Sequence, residues 1–195
     1  MMKRLAIAVC AISLAACASA SDPGAMLAEV SETTIISDES PLRSAVSMGD
    51  VTGGKETNPL WTSEVSSEDF AEALRQSFAA HAMLATDAGD YRLDANLEKL
   101  KQPLAGFNIT VTSIVNYTLT ELATDEVVFE ETIEEAYTAK VGDAFMGVKR
   151  LQLANEGSIK GNITTLIEML IQQFDPMAAE PMPPSGDDSE SDVTS

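Results

Sequence analysis

Apolar and polar positions alternate most cleanly between Phe107 and Thr120. Phe107, Ile109, Val111, Val115, Tyr117 and Leu119 fall on one face; Asn108, Thr110, Thr112, Asn116, Thr118 and Thr120 fall on the other, with Ile114 as the break. A period of two with one apolar face predicts a strand packed on one side and wet on the other, as in antiparallel sheets. Tyr91–Leu97 repeats the pattern, with Tyr91, Leu93, Ala95 and Leu97 on one side. After a turn at Ala123–Glu126, Val127–Ala139 predicts the returning strand, carrying Phe129, Ile133 and Tyr137 on one face. Arg43–Val51 predicts a first strand that stops at Gly53-Gly54.

Two segments change to the helical period. Ser66 is a candidate N-cap, with Asp69 three residues on, and Phe70, Leu74 and Phe78 form a stripe that should end near Leu84. Asp143–Phe174 predicts one long helix, or two with a break near Gly157, with Ile159, Ile163, Leu166, Ile167, Leu170 and Phe174 as its apolar stripe. Gly157 and Gly161 lie four apart on one helix face, which suits close approach either to another helix or to the helix's own sheet. The order is β-α-β-β-β-α. It predicts an α+β two-layer sandwich, an antiparallel sheet of about four strands with helices on one face.

The chain opens with Lys3 and Arg4, then an apolar run from Leu5 to Leu14. That run is long enough for a secretory leader and too short to cross a bilayer as a helix. Leu14-Ala15-Ala16-Cys17 resembles the lipobox of bacterial lipoproteins. The resemblance implies that residues 1–16 are a signal peptide and that Cys17 becomes an acylated N-terminus, holding the protein to a membrane through its acyl chains. Ala18, where an Asp would retain an enteric lipoprotein in the inner membrane, implies the outer membrane, facing the periplasm. Cys10 departs with the leader and Cys17 is used by lipid, so the mature chain offers no thiol for a disulfide, nucleophile or zinc site.

Charge narrows the partners. The chain carries 12 Lys and Arg against 31 Asp and Glu, a net −19 that becomes −21 when Lys3 and Arg4 leave. Such a balance excludes a nucleic-acid binder and disfavours flat adsorption to anionic lipid. Residues 17–40, small, polar and acidic after Cys17, read as a flexible tether, which as a random coil of about 23 residues would hold a domain roughly 25 Å from the membrane. Residues 41–174 read as the folded domain. Residues 175–195, Pro-rich and acidic, read as disordered.

Candidate chemistry is sparse. Gly49, Gly54 and Lys55 have the spacing that opens a phosphate-binding loop, yet Glu56 stands where a Ser or Thr would ligate Mg²⁺, and Asn58-Pro59 opposes the helix that must follow. No nucleotide is expected there, nor any other cofactor or metal. The segment reads instead as a Gly-rich turn, and Gly53, Gly54, Lys55, Asn58 and Trp61 as a partner-contact loop, with Trp61 equally suited to capping the core. His81, the one histidine, reads as structural or surface. Glu130, Glu131, Glu134 and Glu135 read as a charged strand edge that resists aggregation.

The strings GGKETNPLWTSEVSSEDFAEALRQSFAA, YRLDANLEKLKQPLAGFNITVTSIVNYTL and VKRLQLANEGSIKGNITTLIEML resemble a group of small proteobacterial envelope lipoproteins without established activity. The architecture is similar to YajG-type outer-membrane lipoproteins and, more distantly, to the small α/β domains of TolB and CsgG. Fold likeness alone does not give function; an intact lipobox ahead of a domain that offers no nucleophile–base or metal motif predicts a non-enzymatic accessory or assembly factor that contacts an envelope protein, or alternatively a module that binds a lipid or cell-wall fragment. Replacing Cys17 by Ala is expected to move the protein out of the membrane fraction on cell fractionation, and retention there would remove the anchor.

Overall fold

A computed structural model of the chain describes residues 18–31, 33–58, 62–103 and 106–178. The leader 1–16, Cys17, Trp61 and residues 179–195 lie outside the described residues. Strands β1 (Val46–Thr52), β2 (Tyr91–Lys101), β3 (Ile109–Glu121) and β4 (Glu126–Ala139) form one sheet in the order β1-β2-β3-β4. Helices α1 (Ser67–Ala80) and α2 (Gly147–Phe174) cover one of its faces. The fold is the expected α+β arrangement, with one difference in pairing. β2, β3 and β4 are an antiparallel meander, whereas β1 pairs parallel to β2, making the sheet mixed. The cause is the connection: α1 lies between β1 and β2 and carries the chain back to the end where it started, which a short turn cannot do.

Element ends follow local chemistry. β1 starts three residues later than the alternation suggests, because Ser44 adopts a positive φ of 52°. Ser66 caps α1 by accepting from Asp69 N–H at 3.0 Å, and its hydroxyl reaches the Asp69 carboxylate at 2.7 Å. The helix stops at Ala80 rather than near Leu84. Ala82 turns left-handed (φ 60°), and Met83 folds under to bond Phe78 O and sit fully buried. Phe107 does not join β3 or its buried face; it lies in the preceding loop, largely exposed.

α2 is a single unbroken helix through Gly157. Both glycines face the sheet's last strand. A Cβ at Gly157 would fall into the Tyr137 ring, and one at Gly161 would meet the Glu135 side chain at ordinary contact distance. The close approach is therefore to the helix's own sheet. α1 joins the same layer through Phe70, whose ring meets Tyr117 edge-on with centroids 6.5 Å apart.

The expected tether is instead a packed strap. Residues 18–40 run along α2 from its first turns to its last. Ala20 O accepts from Gln152, Asp22 N–H donates to Glu156, Glu29 pairs with Lys160, Ser40 donates to Phe174 O and Ser37 binds Asp175. Met26, Ala28 and Ile36 are buried in the main core. Polar composition hid this because few apolar side chains suffice when the backbone is held by hydrogen bonds to its neighbours. Burial of Met26 and Ile36 adds about 1.5–3 kcal/mol each.

Asp175, expected at the start of a disordered tail, closes the strap. Its carboxylate accepts from Ser37 N–H (2.7 Å), Ser37 hydroxyl (2.6 Å) and Met177 N–H (3.0 Å). Desolvation alone would raise its pKa; the Ser37 and Met177 donors outweigh it and hold the group below its ordinary value. A depressed folded-state pKa means that the folded chain binds this proton less readily than the unfolded chain. Its contribution is thus full above about pH 4 and fades as pH falls through the lowered pKa. Asp175→Asn is expected to cost about 1–3 kcal/mol at neutral pH and progressively less under strong acid. Urea unfolding across that range checks it, and an unchanged gap at both ends would refute the clamp.

Candidate functional site

Three surfaces of the described residues have the shape or chemistry of a site. The loop after β1 is tied down along its backbone. Gly53 takes a positive φ of 83°, Gly54 N–H donates to Ser67 Oγ at 3.0 Å and Lys55 N–H to Val65 O at 2.8 Å. Thr57 and Glu64 exchange two further bonds, and Asn58 bridges to Thr62. The segment folds back against the start of α1, whose Asp69 N–H is already taken by Ser66. Gly53, Lys55 and Asn58 remain exposed at its surface. Beneath it, burial raises the pKa of Glu64 and the nearby Lys55 partly opposes the rise.

The second surface is a groove of about 690 Å³ between the strap, β4 and α2. Gly157 and Gly161 form its floor, with Tyr137 lying over the first. Leu153 and Ala25 add apolar area. Glu29, Glu135, Asp143 and Glu156 rim it, with Lys160 bound to Glu29 at 2.6 Å. The volume falls in the range of small-molecule and peptide pockets. Sequence reasoning isolated Gly157 and Gly161 but missed the groove, because its third wall is the strap.

The third is the bare sheet face. Asp50, Arg92, Asp94, Asn96, Asn116 and Thr118 surround a shallow, polar hollow of about 450 Å³. Arg92 and Asp94 pair at 3.0 Å, and Thr110 meets Thr138 at 2.8 Å. This is the wet Thr/Asn face that the alternation of β3 predicts.

The groove is held by an unusual helix. α2 buries Asn155, Asn162, Ser158, Gln152 and Glu156 beside its apolar residues. Asn162 accepts from the Tyr117 hydroxyl (2.9 Å) and donates to Ile133 O (2.9 Å) and Ser113 Oγ (3.3 Å). Ser113 Oγ donates to Ser158 O at 3.0 Å. Burial pushes the Tyr117 phenol well up, so it stays a donor. Nearer the N-terminus, Asn155 binds Ser63 O and accepts from Gln102, joining the post-β1 loop and the end of β2 to the helix.

The remaining candidates are structural in their contacts. His81 is fully buried, its Nδ1 at 2.6 Å from Ser77 O and its Nε2 at 3.3 Å from Glu29 O. It fastens the strap to the end of α1. The glutamates of β4 divide by face: Glu134 pairs with Lys101 at 2.8 Å, while Glu135 accepts from Thr165 at 2.7 Å on the helix side. Among the described residues no cluster of three or more His, Cys, Asp or Glu could hold a metal ion. No described helix is long and apolar enough to cross a membrane.

No protein-family profile matches the sequence, and no curated protein is detectably similar to it. Solved structures do match in fold. A Xanthomonas campestris protein of the DUF330 family superposes with a TM-score of 0.51 at 14% identity, over 65% of this chain and 83% of its own. A Caulobacter crescentus protein described as a candidate lipoprotein does so with a TM-score of 0.48 at 13% identity, over 73% of this chain and 96% of its own. At 14% identity the likeness to the Xanthomonas protein is one of fold.

Asn162→Ala should leave the Tyr117 hydroxyl and Ile133 carbonyl unpaired in the core. The expected loss is about 1–3 kcal/mol, read by chemical denaturation. A neutral result would show that α2 is held by its apolar stripe alone.

Proposed function

We propose that this chain is a non-enzymatic lipoprotein of the bacterial envelope, anchored through acyl chains on Cys17 to the outer membrane and facing the periplasm. There it acts as an accessory or assembly factor by contact with another envelope protein. The observation that carries the reading is an adjacency: Leu14-Ala15-Ala16-Cys17 ends two residues before Ser19, whose carbonyl already accepts from Ser63 Oγ of the domain at 2.8 Å.

The groove along α2 is the better contact surface. Its apolar floor suits a segment that brings an apolar anchor, with Glu135 and Asp143 left to meet a positive charge, since Glu29 is paired with Lys160 and Glu156 is bonded to the strap. The loop Gly53–Trp61 is a second contact surface in the same reading. A binding module for a lipid or cell-wall fragment is the alternative, favoured by the groove's volume and mostly apolar lining.

A photo-crosslinking residue placed at Thr164, in the groove wall, tests this in intact cells. The expected result is one dominant crosslinked envelope protein that disappears when Gly161→Trp fills the groove. Crosslinks indistinguishable from those of a label on the bare sheet face, at Asn116, would overturn the contact reading. A lipid or glycan retained on the detergent-extracted protein in native mass spectrometry would favour the alternative.

A further inference from the structure

The two most exposed large apolar side chains among the described residues are Phe145, at 93% of its full exposure, and Phe107, at 88%. They lie 38 positions apart in the chain and at one end of the molecule. Ile109 of β3 pairs with Ala139 of β4, and Lys101 of β2 with Thr112, so the β2–β3 loop and the β4–α2 loop emerge side by side. Val141 N–H donates to Asn108 Oδ1 across them. Arg150, buried at the start of α2, joins them more firmly. Its guanidinium donates to Ala144 O and Phe145 O at 2.8 Å and to Gly106 O at 3.4 Å. One buried cation thus fixes the backbone beside both rings, while the rings themselves stand exposed, with half-exposed Val141 and Met146 near them in the sequence.

The strap leads to this end. Followed backward from Glu29, it passes Lys160, then Glu156, then Gln152, moving toward the first turn of α2. The residue before Ala18 is Cys17. The charges near the tip are few: Lys140 lies in the β4–α2 loop, where its N–H donates to Asp143, Lys149 lies in the first turn of α2, and Lys101 is paired with Glu134 at 2.8 Å. The opposite end, where Leu122 N–H meets Asp90 O, carries Asp87, Asp90, Glu121, Asp125 and Glu126.

We propose that Phe107, Phe145 and Met146 form a membrane-docking tip, inserted into the lipid headgroup region beside the acylated Cys17. The inference rests on the lipid-anchor reading and adds an orientation to it. With the strap packed, no slack separates lipid from domain, so the pole bearing the rings must meet the bilayer. Aromatic rings and Met side chains suit the interfacial layer. Lys140 and Lys149 beside them can reach anionic headgroups, while the carboxylate-rich pole is held away.

The full chain, purified from membranes and reconstituted in vesicles of phosphatidylethanolamine and phosphatidylglycerol, provides the test. With Cys10 removed and Cys17 acylated, Phe107→Cys, Phe145→Cys and, as the distal control, Leu122→Cys each offer one thiol for a nitroxide. The expected result is a several-fold higher ratio of oxygen to nickel-complex accessibility at 107 and 145 than at 122. All three positions are exposed, so folding does not depend on them. Mass spectrometry of the N-terminal peptide reads the anchor independently. Acylated Cys17 with water-like access at 107 and 145 overturns the docked tip and leaves the anchor standing. An unmodified Cys17 overturns the anchor and the proposal with it.

Discussion

The seating of α2 on the sheet is the contact on which the other features depend. It is made by polar atoms as much as by apolar ones. Ser113 interrupts the apolar face of β3 with a small hydroxyl, and Asn162 uses the space to reach three partners on β3 and β4. A buried amide must be satisfied in direction as well as depth, so this arrangement sets the rotation and the height of the helix along the sheet. Gly157 then lies under Tyr137 and Gly161 under Glu135, and the groove follows. Sliding α2 by one turn would take Asn162 away from Tyr117, Ser113 and Ile133.

Much of the layer structure was legible because it rests on period. The wet face of β3, the Ser66 cap and the stripes of both helices all follow from spacing. What was not legible shares one physical feature: polar residues in the interior. Ala154-Asn155-Glu156-Gly157-Ser158 reads as a break in an apolar pattern, yet Asn155, Glu156 and Ser158 are buried and bonded within a continuous helix. The strap misleads in the same way. Its composition is that of a linker, but its backbone is satisfied by Glu156, Ser77 and Asp175, residues far away in sequence. Phe107 erred in the opposite sense, an apolar residue continuing a strand's period past the strand's end.

Of the candidate site residues, Gly53, Gly54 and Lys55 are placed where a turn was expected, and their amides are committed to α1 and Val65. Cys17 and Trp61 lie outside the described residues. The groove was invisible to local reasoning because it is assembled from three segments, residues 25–29, 135–143 and 153–165. Only tertiary packing brings a linker-like segment, a charged edge strand and a glycine-bearing helix together.

The strap also dictates an order of events. Asp22 bonds Glu156 across 134 positions, and Ser37 bonds Asp175 across 138. The first part of the described chain therefore has to wait for the last helix before it can pack, since closing so long a loop gains nothing until α2 is seated. Until then the segment has nothing to pack on and stays open to solvent. Closure of the strap is therefore the step that completes the domain, and it joins the two ends of the described chain in one event.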